Sequence, residues 1–105
     1  RAVSFSVRLT REALEDLQRI EDFLVELALQ HGDFDLPLRA VEAMRREMRI
    51  LETNPFTCRK AGSRPLEREL VIPFGGSGFI ALFEIVSERE VAVSALRHQR
   101  EDDYH

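Results

Sequence analysis

The chain is poor in cysteine, has no surplus of positive charge and contains no long apolar run. Each shortage removes a class of protein. Cys58 is the single cysteine among 105 residues, which excludes an internal disulfide and fits a reducing, cytoplasmic setting. No apolar stretch approaches the roughly 20 residues that a bilayer-spanning helix requires, so no membrane partner is expected. Residues 1–10 lack the apolar core of a signal peptide. Lys and Arg number 15 against 19 Asp and Glu, a formal charge of −4. Proteins that draw their affinity from phosphate contacts carry an excess of cations, so direct sequence-specific binding to nucleic acid is not expected. Basic residues do cluster locally (Arg59, Lys60 and Arg64, then Arg97, His98 and Arg100), with carboxylates close to both clusters.

Cofactor and metal chemistry find little support. Gly75-Gly76-Ser77-Gly78 lacks a following Lys-Ser or Lys-Thr and leads into a strand pattern. It therefore reads as a hairpin turn using glycines for positive φ, and not as a phosphate loop. His31, His98 and His105 are scattered, and Glu101, Asp102 and Asp103 are adjacent carboxylates that do not define a coordination geometry. No metal and no cofactor are expected. Arg59 and Lys60 beside Cys58 are cations of the kind that lower a thiol pKa. With no histidine nearby and no second cysteine, Cys58 reads as an ordinary loop residue.

What is present describes one α+β domain over residues 1–105, with 44% apolar and 32% charged residues. Phe5, Val7 and Leu9 alternate with polar neighbours, which predicts a half-buried strand over 4–10. Thr10 is a hydroxyl N-cap with Glu12 in the first turn. Leu14, Leu17, Ile20, Leu24 and Leu27 then mark one helical stripe, ended by Gly32. Asp35 and Pro37 open a second helix, whose stripe is Leu38, Val41, Met44, Met48 and Leu51; Asn54-Pro55 stops it. Residues 56–65 form a loop. Three strand-length apolar runs follow: Leu70–Phe74, Phe79–Ile85 and Val91–Leu96. The predicted order is β-α-α-β-β-β, a helical hairpin packed on a small antiparallel sheet.

This ordered set resembles the RelE/ParE superfamily of toxins from type II toxin–antitoxin systems, and most closely its ParE branch. The residues that carry the resemblance are Leu9-Thr10-Arg11-Glu12-Ala13-Leu14-Glu15-Asp16-Leu17 and Asn54-Pro55-Phe56. Gly78-Phe79-Ile80-Ala81-Leu82-Phe83-Glu84-Ile85 and the tail Arg97-His98-Gln99-Arg100-Glu101-Asp102-Asp103-Tyr104 complete it. The resemblance implies a cognate antitoxin as partner and leaves two targets to separate by chemistry. RelE-type members cleave messenger RNA on the ribosome, which demands cations around the scissile phosphate and groups to move protons. Their cationic strand positions correspond here to Val71, Pro73 and Ile80, none of which is charged. A catalytic reading would rest on His98, Arg100 and Tyr104. ParE-type members lack the nuclease residues and poison DNA gyrase by binding it.

The favoured expectation is therefore a gyrase-binding toxin with no catalytic residues. The first alternative is a ribosome-dependent mRNA interferase, and the second is a non-toxic member acting only within an antitoxin-bound repressor. Arginines and aromatics anchor interfaces, so Arg59, Arg64, Arg97, His98, Arg100 and Tyr104 are the candidate target-binding residues, with Phe56 either an anchor or core. Apolar residues off the helical stripes (Phe23, Val25 and Leu29 on the first helix, Ile50 after the second) are the candidate antitoxin-binding residues.

Overall fold

A computed structural model describes residues 4–99. The strands are β1 (Ser6–Leu9), β2 (Arg59–Lys60), β3 (Glu67–Phe74), β4 (Ser77–Ser87) and β5 (Glu90–His98). The helices are α1 (Arg11–His31) and α2 (Leu36–Met48), and α2 runs on into the 3₁₀ turn Arg49–Glu52. The strand order is β1-β5-β4-β3-β2. β2 to β5 pair antiparallel, whereas β1 lies parallel to β5. The sheet is thus mixed rather than wholly antiparallel. A strand that hands over at once to a 21-residue helix must return by a long crossover, and that geometry allows a parallel neighbour.

Alternation along the strands separates two faces. Leu70, Ala81 and Leu96 stand in register, as do Phe83 with Val93 and Ile85 with Val91. With Ile72 and Phe79 they meet Ile20, Leu24, Ala40 and Met44 of the helices in one core. The helix stripes differ from the predicted ones in two places. Leu14 and Leu38 are exposed, and the small residues Ala13 and Ala40 take the inward positions. Small side chains let the helix axes approach the sheet closely, and a leucine there would hold them apart.

The predicted Thr10 cap is present: its hydroxyl accepts a hydrogen bond from the Ala13 amide at 3.2 Å. Gly32 closes α1 with φ of 72°. Asp35, by contrast, makes no side-chain cap. The entry to α2 is instead tied by Arg39, which donates to both carboxylate oxygens of Asp33 at 3.1 and 2.7 Å. This hydrogen bond holds the Asp33 carboxyl below its ordinary pKa.

Two tertiary connections to the sheet escape sequence inspection. The register shift between Leu82 and Phe83 makes Ser94 an extra residue in β5. Beyond this bulge the Leu96 amide donates to Asp16 Oδ2 of α1 at 2.9 Å. Asp16→Ala leaves that amide without its acceptor and should lower stability by roughly 1–3 kcal/mol, read from the urea midpoint. Asp16→Asn, which keeps an acceptor, should recover most of the loss. The second connection is Arg68. Its guanidinium donates to the carbonyls of Phe56 and Cys58, both at 2.9 Å, and lies 5.7 Å from the Phe56 ring centre. It fastens the 56–58 segment to β3.

Candidate functional site

The helix-free face of the sheet presents residues of the opposite parity. Val71, Ile80 and Arg97 form one registered row across β3, β4 and β5. Glu69, Leu82 and Ala95 form the next, and Glu67, Glu84 and Ala92 a third. Pro73 stands opposite Gly78. The three positions matched to the nuclease strand (Val71, Pro73 and Ile80) therefore do share this face. They present two aliphatic side chains and a pyrrolidine ring, and Ile80 is only 8% exposed.

The cations of this face are largely committed to carboxylates. Arg64 donates to Glu67 and to Glu84, each at 3.0 Å. Arg59 pairs with Glu69, and Arg8 with Glu90. Two of the candidate target-binding residues, Arg59 and Arg64, are thereby neutralised by β3 and β4. Such exposed pairs add little stability, but they remove the positive potential that would attract a phosphate. Arg97 shows its side chain on the same face, in line with Ile80.

His98 lies elsewhere. In register with Phe79, it sits on the helix side of the sheet. Its ring meets Phe79 edge-on at 5.3 Å and Phe23 of α1 at 6.0 Å, and its Nε2 is 3.5 Å from Ser77 Oγ. The structure thus joins two residues that the sequence assigned to different partners, Phe23 and His98, in one half-buried aromatic cluster. Arg100 and Tyr104 lie outside the described residues, as do the carboxylates 101–103. Among the described residues no set of three metal-ligating side chains is gathered.

Phe23, Val25, Leu29 and Ile50 are all exposed, Leu29 by 67%. They do not form a single patch. At about 100° per residue, Val25 and Leu29 share a flank of α1 with the exposed Leu14, whereas Phe23 points to the far side, toward His98. Phe56 is partly covered: its ring meets Phe5 edge-on at 6.4 Å, under the Arg68 guanidinium. Cys58 is half-buried, and burial pushes its thiol above the ordinary pKa. The cation that opposes the shift is Arg68, not the adjacent Arg59 or Lys60.

A groove of about 430 Å³ opens between β1, α1 and α2, lined by Val7, Leu9, Leu17, Val41, Met44 and Met48, with Arg45, Arg49 and Glu52 as its charged lining residues. Beside it Arg45, Arg46 and Arg49 surround a shallow hollow on α2 with one carboxylate, Glu42. Charged residues at these spacings are those of any solvated helix surface, and only folding sets them beside an apolar trough.

A family described as "ParE toxin of type II toxin-antitoxin system, parDE" matches residues 7–103. The chain belongs to this ParE toxin family. The solved structure titled "Chromosomal ParDE TA system from P. aeruginosa" has a similar fold, with a TM-score of 0.72 at 21% identity. The similarity covers 92% of this chain and 98% of that one. No curated protein sequence matches the chain. Within this ParE-family domain the described helices include none long and apolar enough to cross a membrane.

Proposed function

We propose that this ParE-family toxin acts in the cytoplasm by binding DNA gyrase, without catalytic residues of its own, and is neutralised by a cognate antitoxin. The observation that carries this reading is the composition of the helix-free face. Where an RNA-cleaving relative needs a cluster of cations, Val71, Pro73 and Ile80 stand, and Arg59 and Arg64 are held by Glu69, Glu67 and Glu84. A phosphorane-like transition state gains nothing from aliphatic groups. The position of His98 argues in the same direction. Its imidazole packs between Phe23 and Phe79 on the opposite side of the sheet from Val71 and Ile80, so it does not share a surface with the row that would hold the RNA. The exposed Arg97 and the half-buried aliphatic side chains of Val71 and Leu82 on the helix-free face instead suit recognition of a protein surface.

Purified toxin added to a gyrase supercoiling reaction should inhibit it or accumulate cleaved DNA, and added to translating ribosomes should leave messenger RNA intact. Codon-dependent cleavage that disappears in His98→Ala would overturn the proposal in favour of the interferase. Inactivity in both assays, with tight binding to the antitoxin retained, would instead mark a member that works only within the repressor complex.

A further inference from the structure

The three most exposed large apolar side chains among the described residues all lie at the turn of the helical hairpin. Leu29 stands in the last turn of α1 (67% exposed), Phe34 in the connection (71%) and Leu38 in the first turn of α2 (60%). At about 100° per residue, Leu29 and Leu38 point away from the buried Ile20, Leu24 and Ala40 of their own helices. A single exposed leucine is ordinary, whereas such a cluster marks an interface.

The charges on the same outward faces are sorted by helix. On α1 stand Glu15, Asp22 and Glu26, all exposed, bordered by Arg11 and by Arg19, which is 3.5 Å from Asp16. On α2 stand Arg45, Arg46 and Arg49, around a hollow of about 270 Å³ whose one carboxylate is Glu42. Among the described residues these three carboxylates and three arginines make no ion pair within the chain, whereas Arg8, Arg39, Arg59 and Arg64 all do. The hairpin also sets them at matching heights. Counting back from His31, the end of α1, and forward from Leu36, the start of α2, places Leu29 level with Leu38, Asp22 with Arg45 and Gln18 with Arg49.

We infer that two copies of this chain pack hairpin on hairpin about a two-fold axis running along the helices, so that α1 of each lies antiparallel on α2 of the other. That rotation preserves the heights within the hairpin. It brings Leu29 against Leu38 of the second copy, Asp22 against Arg45 and Gln18 against Arg49, each contact occurring twice. The product is a four-helix layer between two sheets. A partner of one charge would answer only one of the two helices; a second copy answers both and covers the leucines as well. Two adverse neighbours limit the affinity. Glu42 comes level with Val25 and close to Glu26, with Arg45 and Arg46 one turn beyond it, and Glu15 comes level with Glu52, with Arg49 one turn nearer. The dimer therefore belongs to the salt-sensitive class of roughly micromolar affinity. Both helix-free faces stay turned outward, so association leaves the proposed target surface open.

Sedimentation equilibrium of the free full-length toxin between about 1 and 100 µM should show a monomer–dimer equilibrium, weaker at high salt. Asp22→Arg and Arg45→Asp should each raise the dissociation constant at least about tenfold at low salt, because each alteration enters the interface twice. Both positions are exposed, so the melting temperatures should be preserved. The double variant Asp22→Arg/Arg45→Asp restores an opposite-charge pair and should recover most of the loss. A toxin that stays monomeric throughout overturns the inference, and so does a dimer that neither single substitution weakens, since it would use another face. A double variant as weak as the two single losses combined overturns the pairing of Asp22 with Arg45. Hairpin amides that gain hydrogen-exchange protection only when a different protein binds would assign the face to that protein, and overturn the inference as well.

Discussion

Replacing Phe83 by alanine should cost about 3–5 kcal/mol of stability. Phe83 is 1% exposed, lies on β4 in the middle of the sheet, and has registered neighbours Arg68 on β3 and Val93 on β5. Rigid elements surround the site on several sides, so the structure relaxes little around the missing ring, and a cavity penalty adds to the lost transfer free energy. A domain of this size holds roughly 5–15 kcal/mol in total, so the variant should melt more than about 10 °C lower. Urea unfolding would show a reduced midpoint with an unchanged slope. A loss below about 1 kcal/mol would mean that the core collapses into the hole.

The second large effect falls on a glycine whose importance is spatial. A Cβ on Gly78 would lie 2.2 Å from the backbone carbonyl oxygen of Ile72, a distance that real Cβ atoms do not show. Gly78→Ala must therefore push β4 away from β3 at the end of their ladder. A cost of about 1–3 kcal/mol is expected, outweighing the few tenths to one kcal/mol that an alanine gains by restricting the unfolded chain. Gly76→Ala is the matched control. Nothing lies within 4 Å of a Cβ there, and its φ is not in the left-handed region, so its stability should change little or rise. Equal melting temperatures for the two variants would contradict the close approach. The third glycine of the segment has a different role again: Gly75 adopts φ of 59°. Positive φ at the first of two central residues alone is the pattern of a type II′ hairpin turn. The three glycines, read together as turn formers, thus divide into one turn residue, one tolerant residue and one gap.

Pro73 shows how far local chemistry can be carried. From sequence it suits an edge or a bulge. In the structure the Ala61 amide donates to the Glu67 carbonyl, so odd residues of β3 turn their backbone groups outward from β4. β2 reaches only Arg68 and Glu69, and at Pro73 the missing N–H falls on the open outer edge. Among the described residues no strand lies beyond this edge at Pro73, so the proline removes no ladder donor there, and it blunts the edge against unwanted pairing.

The pattern of residues by itself determined the two helices, the first strand, the three C-terminal strands, the Thr10 and Gly32 caps and the family resemblance. Those features follow from spacings of two, three and four along the chain, or from the conformational limits of single residues. It also determined that the nuclease-matched places hold Val71, Pro73 and Ile80, because identity at a position does not depend on the fold. Only the tertiary structure decided which cations are already spoken for by Glu67, Glu69 and Glu84, that His98 turns to the helix side while Val71 and Ile80 turn away, and that Arg45 and Arg49 border the apolar trough beside the open edge of β1. These are relations between residues that lie apart along the chain. They are set by strand order, register and the Ser94 bulge, which local periodicity does not encode.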